Sequence, residues 1–419
     1  MERERLKRTI ILAFCAAALG VLMGCGTGNL LGGSSNNTSS SSSTSKSRPS
    51  GIKKRAYVSN NFQNQVDIIN AANDTVNTAF STTTTGQTVA TLANTITAGG
   101  GPAQMALTPD KKFTVVFNQL TNTITIITND TESGTNQIPL PDFTDSFVAA
   151  PDNKTLFVAV PNAPVSGQPS GAVEVMDITA GALTDTIALP RAHRLVLSHN
   201  GNKLLVFADN TDQMWVVDTA PKTATALSGF DRPVYAVFSS DDSKAYILSC
   251  GPECGGTAAK VTVLDVASNT PGASVPVSAA TVGFLDSAGN LYVAGTAGSA
   301  GKLDVLTAST LAVSKSGVAI SDGLHQLMAL GSNGKLFIGS RTCNNSAQGC
   351  LSIYDTAGGT AVISPAGGGD VTGIEPISGR NVVYVIEGGE LRIYDTTTGQ
   401  QQATQIDIVG KAVDVKMAD

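Results

Sequence analysis

The residues in this chain best suited to chemistry are histidines and arginines. The chain holds three histidines, His193, His199 and His325. Imidazole and guanidinium groups together can bind an anionic group or a carbonyl substrate, and no HxH or HExxH spacing predicts a histidine-based metal or haem site. No GxSxG motif with a partner histidine is evident, so no catalytic residue, metal ligand or cofactor is assigned. The candidate ligand-binding residues are Arg191, His193, Arg232 and His325.

The overall composition favours strands and turns. The chain has 419 residues, of which 42% are hydrophobic and only 14% are charged, with a net charge of −6. Gly, Thr, Ser, Ala and Val are abundant, so helix is expected to be scarce. No Lys/Arg cluster occurs beyond the N-terminus, so the chain lacks the basic surface that binds a phosphate backbone, and nucleic acid is not expected as a partner.

The N-terminus has the pattern of an export signal. Four basic side chains precede an apolar run over residues 10–23, which is too short for a comfortable membrane span. The ending "LMGC" resembles the bacterial lipoprotein lipobox, which implies a signal peptide over residues 1–24 and a lipid on Cys25. An uncleaved anchor helix or ordinary secretion is the alternative.

The segment after Cys25 predicts a flexible tether over residues 25–52. It is rich in Ser and Asn and has almost no apolar content after Leu31, so it cannot bury enough surface to offset chain entropy. Acyl chains on Cys25 would hold the protein to a membrane surface. The expected location is the bacterial cell envelope, periplasmic or at the cell surface. By resemblance to enterobacterial sorting, Gly26 in place of Asp favours the outer membrane.

The rest of the chain is repetitive. Alternating apolar residues closed by a short polar one recur eight times: VDIIN at Val66, ITIIT at Ile124, VEVMD at Val173, MWVVD at Met214, VTVLD at Val261, LDVLT at Leu303, LSIYD at Leu351 and LRIYD at Leu391. A second strand precedes each copy, and a third recurring element precedes most of those strands. A period of about 45 residues with about four short strands is typical of a propeller blade. The sequence therefore predicts an all-β fold, a single β-propeller of eight four-stranded blades, with seven as the alternative.

Short polar residues close most of these copies. Asx side chains bond their own backbone in turns, so we expect a structural role after the third strand of a blade. These residues are Asn70, Asp177, Asp218, Asp265, Asp355 and Asp395.

The repeats resemble the YVTN-type β-propeller family. The residues that carry the resemblance are "YVSN" at Tyr57, "GGP" at Gly100 and "TPD" at Thr108, with weaker copies elsewhere. In that family the "PDG"-type strand is innermost in a blade. The resemblance therefore implies that the C-terminal "VDVKMAD" completes the blade begun at "AYVSN" and closes the ring of a propeller domain over residues 53–419.

Three long connections between second and third strands follow Val160, Ser249 and Thr342. They fall in the third, fifth and seventh repeats, so they would alternate around one face of the disk, where rigid sheets hold binding loops. Neutral loop growth on a tolerant scaffold is the alternative.

When the repeats are aligned, a group of basic residues falls near the start of the innermost strands, close to the mouth of the central channel. These residues are Arg191, His193, Arg194, Arg232 and His325. Ordinary turn residues around a solvated channel are the alternative.

Four cysteines remain after the one in the signal and Cys25. In an oxidising compartment an even set predicts disulfides. A whole blade separates the two loops that carry them, which exceeds the Cα separation of about 7 Å that a disulfide tolerates and also disfavours a shared zinc site. The predicted pairs are Cys250 with Cys254 and Cys343 with Cys350.

Three functions are compatible with this sequence. The first is a membrane-tethered module or scaffold that binds an envelope protein or polysaccharide. The second is a hydrolase similar to propeller lactonases, and the third is a structural surface-layer component. Fold alone does not choose among them.

Overall fold

The computed structural model describes residues 48–82, 87–135, 137–344, 348–365, 368–403 and 406–419, all within the unit Ser47–Asp419. The predicted signal peptide, the predicted lipid acceptor Cys25 and most of the predicted tether lie outside these ranges. Among the described residues, no helix has both the length and the apolar character needed to cross a membrane.

Eight antiparallel sheets follow one another along the chain, as the repeats predict. The strands of blades 1 to 4, in chain order, are β1 (Arg55–Asn60), β2 (Gln65–Asn70), β3 (Thr78–Thr82), β4 (Thr88–Leu92) and β5 (Thr95–Thr97); β6 (Pro102–Leu107), β7 (Phe113–Asn118), β8 (Thr123–Thr128), β9 (Ser133–Gly134) and β10 (Ile138–Pro139); β11 (Ser146–Ala149), β12 (Thr155–Val160), β13 (Ala172–Asp177) and β14 (Ala182–Ala188); and β15 (Ala192–Leu197), β16 (Lys203–Ala208), β17 (Met214–Asp218) and β18 (Thr223–Leu227).

The second half of the ring repeats the arrangement. The strands of blades 5 to 8 are β19 (Pro233–Phe238), β20 (Lys244–Cys250), β21 (Ala259–Asp265) and β22 (Thr270–Pro276); β23 (Val282–Leu285), β24 (Asn290–Ala297), β25 (Ala300–Thr307) and β26 (Ala312–Ile320); β27 (Leu324–Leu330), β28 (Lys335–Arg341), β29 (Gln348–Asp355) and β30 (Thr360–Pro365); and β31 (Val371–Pro376), β32 (Val382–Glu387), β33 (Glu390–Asp395) and β34 (Gln400–Gln401), before the last strand β35 (Ala412–Met417). The helical segments in the described ranges are two 3-10 turns, Gly251–Cys254 and Ser332–Gly334.

The ring closes through the first and last segments, which confirms the prediction. Strand β35 pairs with β1 as the innermost strand of blade 1, with Ala56 opposite Met417. Next to this pairing the fully buried Arg55 guanidinium donates to both carboxylate oxygens of Asp419, at 2.9 Å each, and to Oε1 of Glu132 in blade 2 at 3.0 Å. The closure therefore ties both ends of the domain to a neighbouring blade.

The core consists of apolar layers between neighbouring blades. Second strands such as β1 and β32 are buried at every position because each is covered on both faces, whereas the outer strand β18 is mostly exposed. Between blades 8 and 1, for example, Val58 and Ile69 pack with Tyr384 and Ile393. Burial at about 25 cal/mol per Å² of apolar surface makes these layers the main stabilising contribution.

The turns after the third strands carry the predicted Asx contacts. The Asp177 carboxylate accepts hydrogen bonds from the backbone N–H groups of Thr179 and Ala180, and Asp395 accepts them from Thr397 and Thr398. The Thr179 hydroxyl, which also donates to Asp177, and then the backbone bond from Ala180 lower the pKa of Asp177 to about 2. The recurring acidic residues are therefore structural at these positions.

The first repeat carries an insertion between β2 and β5. It contains the hairpin of β3 and β4, and β5 supplies the outer strand of blade 1 with only three residues. Leu92 and Val76 pack against the core between blades 8 and 1, because otherwise their apolar surface would remain in water.

Candidate functional site

One face of the disk carries most features suited to binding. We call it the rim face: it holds the turns between second and third strands and the connections from each outer strand to the next blade. The three predicted long loops lie there, after β12, β20 and β28. Backbone hydrogen bonds join these two kinds of connection: the N–H of Leu189 donates to the carbonyl of Gly171, and the N–H of Leu140 donates to that of Asn122.

Two of the long loops are crosslinked within themselves, which confirms the predicted pairing. Cys250 bonds to Cys254 and Cys343 bonds to Cys350, with Cα separations of 5.8 and 5.6 Å. The first loop also depends on Gly251, which has φ +60° and where an added Cβ would lie 2.2 Å from the backbone nitrogen of Ala259. Only glycine fits such a left-handed, crowded position.

Large apolar side chains are exposed on the rim face of blades 1 to 3. Phe62 at the β1–β2 turn is 71% exposed, Leu120 at the β7–β8 turn is 72% exposed, and Phe143 between blades 2 and 3 is 43% exposed. The rings of Phe143 and Phe117 meet edge to face at 5.3 Å, which fixes the orientation of Phe143. We call Phe62, Leu120 and Phe143 the apolar tips.

A hollow of about 290 Å³ lies on the same face between blades 5 and 7, and Leu324 contributes to its wall. The Glu253 carboxylate accepts a hydrogen bond from the backbone of Thr296 at 2.8 Å, while its second oxygen has no partner. Burial raises the pKa of Glu253 to about 7. Asp322 is the other carboxylate in the wall.

The central channel contains a cavity of about 310 Å³, lined by innermost strands from opposite sides of the ring. Arg194 of β15 extends into it: its guanidinium stacks 4.4 Å from the ring centre of Tyr235 and donates to the backbone oxygen of Gln326 at 3.0 Å. Since β15 belongs to blade 4 and Gln326 to blade 7, Arg194 bridges the channel.

His193 lies at the edge of this cavity between two carboxylates. Its two ring nitrogens are each 2.8 Å from a carboxylate oxygen, of Asp145 and of Asp209. These hydrogen bonds raise the pKa of His193 to about 10. The imidazole is therefore protonated at neutral pH and is a poor general base.

Arg341 and Thr372 also line the cavity, and both contain a buried polar atom without a hydrogen-bond partner, Nε and Oγ1 respectively. On β35, the innermost strand of the next blade, Lys416 pairs with Asp414 at 3.2 Å.

The other predicted ligand-binding residues lie apart from the cavity lining. Arg191 is exposed in a turn at φ +54°, and the Arg232 guanidinium lies 3.7 Å from Asp212. His325 is almost fully buried, with Nε2 2.9 Å from the backbone oxygen of Ser321. Burial lowers the pKa of His325 to about 4, so its ring is neutral.

Sequence reasoning missed Arg341 and Thr372. Thr372 is the second residue of the innermost strand β31, the position that His193 holds in β15, so the repeat register carried a signal for it. Arg341 ends a second strand, and no pattern in the repeats points it toward the channel. Across the ranges covered by the structure, no group of three His, Cys, Asp or Glu residues is arranged to hold a metal ion.

The comparisons with known proteins support the class of fold. A family model described as lactonase, 7-bladed β-propeller, matches residues 43–160, well under half of the chain. No curated protein matches the sequence. This match and the eight described sheets together define a β-propeller with eight blades.

Solved structures agree on the fold. Dihydro-heme d1 dehydrogenase NirN in complex with DHE is 13% identical with a TM-score of 0.65, over 87% of this chain and 75% of that one. The β-propeller domain of Cps50 (Swd1) from Myceliophteria thermophila is 11% identical with a TM-score of 0.52, over 71% and 98%. A functionally unknown protein from Desulfotomaculum acetoxidans DSM 771 is 15% identical with a TM-score of 0.51, over 75% and 100%. At these identities the likeness concerns the fold alone.

Proposed function

We propose that this protein is a lipid-anchored propeller of the bacterial envelope that binds another envelope protein through its rim face. The observation that carries the proposal is the set of apolar tips on adjacent turns of one face. Turn residues are normally polar, and contiguous exposed apolar surface marks interaction sites.

The chemistry of the tips favours a protein over a polysaccharide. Aromatic side chains are enriched at protein interfaces, where they become buried and supply much of the binding energy. Binding through Phe62 and Leu120 costs little backbone conformational entropy. Both side chains project from short turns between paired strands, so little of the backbone has to become ordered.

The crosslinked loops add a second, preorganised part of the same face. Each disulfide restricts its loop before a partner arrives, which reduces the entropy lost on association. The exposed Leu324 lies beside these two loops, in the wall of the hollow between blades 5 and 7, and adds apolar surface there.

The anchor part of the proposal rests on the sequence. Lipid on Cys25 and a tether of about 25 residues would hold the disk within about 25–30 Å of a membrane, where a partner in the same membrane has a high effective concentration. A Cys25→Ser variant should leave the membrane fraction for the soluble one and lose label from a radioactive fatty acid.

Partner binding can be tested by crosslinking in cells followed by mass spectrometry. The test variant replaces the three apolar tips with serine. The control variant replaces Val313 and Val362, which are 40% and 57% exposed on the outer strands of blades 6 and 7, with serine. Both variants remove exposed apolar surface, but only the first alters the rim face.

The proposal expects a partner that crosslinks to the wild type and the control but not to the apolar-tip variant. That partner, once purified, should bind the soluble domain with an affinity reduced at least about tenfold by the tip substitutions, as for loss of interface anchors. Crosslinks that are equal in both variants would contradict it. Crosslinks only between copies of this chain would instead favour a surface-layer role.

The hydrolase alternative draws on the lactonase model that matches residues 43–160. Against it, His193 is held protonated between Asp145 and Asp209, and His325 is buried against the backbone. Neither imidazole is placed to act as a base on a substrate in the cavity, so we favour binding.

A further inference from the structure

The charges that line the central cavity do not balance. Of its charged lining residues, His193, Lys416, Arg194 and Arg341 are positive, whereas Asp145 and Asp414 are negative. Asp145 pairs with His193 and Asp414 pairs with Lys416, while outside the lining Asp209 also contacts His193 and Glu375 lies near Lys416. Arg194 contacts an aromatic ring and a backbone oxygen but forms no ion pair among the described residues, and the same holds for Arg341. Two guanidinium groups therefore face one cavity without an ion pair to any residue that the structure describes.

The two arginines are close enough to repel each other. Burial lowers the pKa of Arg194, the nearby Asp145 carboxylate opposes this shift, and the charge of Arg341 adds to it. Partly buried like charges are costly unless an anion lies between them or hydrogen bonds compensate. The described residues place no carboxylate in direct contact with either guanidinium.

Unpartnered polar atoms lie on the same wall. Nε of Arg341 and Oγ1 of Thr372 are buried and have no hydrogen-bond partner, although buried polar groups in native proteins are nearly always bonded. Both atoms can donate a hydrogen bond, and both residues line the cavity. The Thr372 hydroxyl and the Nε–H of Arg341, together with the second guanidinium of Arg194, define a site for an acceptor with negative charge.

We propose that the central cavity binds a small organic anion with two negative charges, a dicarboxylate or a phosphate monoester, between Arg194 and Arg341. The planar guanidinium matches carboxylate and phosphate oxygens in a two-point contact. The volume of about 310 Å³ is at the lower end of the range for ligand sites, which restricts the ligand to a small molecule. This inference does not depend on partner binding at the apolar tips.

The site predicts which ligand atoms matter. One oxyanion is held by the Arg341 guanidinium and the Thr372 hydroxyl, and the second charge lies toward Arg194. Asp145, paired with His193, and Asp414, paired with Lys416, also face the cavity. Because both are carboxylates, they disfavour ligands that carry further negative charge toward them.

The experiment is calorimetric titration of the soluble domain in a buffer of low ionic strength. The probes are succinate, inorganic phosphate, acetate with a single charge, and succinamide, which has the size of succinate without its charges. The variants are Arg341→Gln and Thr372→Val, and the latter removes a hydroxyl with little change of shape. The matched control is Arg232→Gln, which removes the same charge from the same face but outside the cavity. Thermal melting checks that each variant is folded.

We expect succinate or phosphate to bind the wild type more tightly than acetate, with succinamide not binding. Arg341→Gln and Thr372→Val should each weaken the affinity, the first by about tenfold or more, as for loss of a hydrogen bond to a charged group. Arg232→Gln should bind like the wild type. The stronger of the two probes identifies the carboxylate or the phosphate source.

Three results would overturn the proposal. The first is that neither dianion binds the wild type up to about 10 mM, so that any dissociation constant lies above that concentration. The second is that folded Arg341→Gln and Thr372→Val both bind like the wild type. The third is that succinamide binds as well as succinate, which would show that charge has no role.

Discussion

Replacing Asp419 with asparagine is expected to destabilise the closure of the ring. The Asp419 carboxylate accepts two hydrogen bonds from the fully buried guanidinium of Arg55, and its own side chain is 16% exposed. Removing one partner of a buried ion pair costs about 3–5 kcal/mol, because the other charge is left uncompensated. Glu132 remains 3.0 Å from Arg55 in the variant, so we expect the lower end, about 3 kcal/mol.

The expected change in melting temperature follows from the size of the domain. The entropy of unfolding is about 2.1 cal/mol/K per residue, which for about 370 residues gives about 0.8 kcal/mol/K and a decrease of about 4 °C. Differential scanning calorimetry of the soluble domain measures this. The control is Lys222→Gln, which breaks an exposed pair with Asp185 and should leave the melting temperature unchanged.

The pH dependence provides an independent check. Burial alone would raise the pKa of Asp419, but the hydrogen bonds and charge of Arg55 outweigh it and hold that pKa below its usual value. An acid with a lowered pKa stabilises the fold above its unfolded pKa of about 3.9 and loses that contribution as the pH falls through the folded value. The gap between wild type and Asp419→Asn should therefore close in acid. Equal melting temperatures at neutral pH, or a gap that does not narrow as the pH falls below the unfolded pKa of about 3.9, would refute the reasoning.

Three further predictions follow from the same structure. Deleting residues 412–419 removes β35 and exposes the edge of β1, so the domain should lose its cooperative melting transition and aggregate in gel filtration; a monomer that melts like the wild type would contradict closure by this strand. Burial raises the pKa of Glu253 to about 7, so the folded state binds a proton that the unfolded state has released, and stability should decrease as the pH rises from about 4.3 to about 7. Glu253→Gln should flatten this decrease in urea titrations, and an unchanged slope would refute the assignment. Opening the Cys343–Cys350 bridge by serine substitution at both positions should cost about 2 kcal/mol, the value expected for a loop of this length, as measured by urea unfolding; no loss would indicate that the bridge restricts only the loop in the folded state.

The sequence predicted the fold through features that are local and repeated. Each copy from Val66 to Leu391 is rich in apolar residues. A strand in the middle of a blade is covered on both faces, so it needs apolar residues wherever its blade lies in the ring. The Asx turns and the two disulfides were predictable for the same reason, because each joins groups only a few residues apart. Eight blades, rather than the alternative of seven, follow from counting these copies.

The candidate site was only partly predictable. His193 was placed near the channel from its position in the repeat, and it lines the cavity. His325 has a similar place in the repeat, yet its ring turns into the layer between blades 6 and 7 and forms a hydrogen bond with the backbone oxygen of Ser321. No feature of the sequence distinguishes these two orientations, since both residues lie near the start of an innermost strand.

By itself, then, the sequence determined an all-β chain of eight similar units with a closing strand and locally crosslinked loops, because short-range periodicity and spacing decide those features. The tertiary structure decided which side chains meet. Arg194 reaches across the channel to Gln326, and Arg341 lines the same cavity from a different blade, without an ion pair within the described part of the chain. Such contacts join residues more than a hundred positions apart, and their geometry depends on how the ring curves, so no local pattern in the sequence records them.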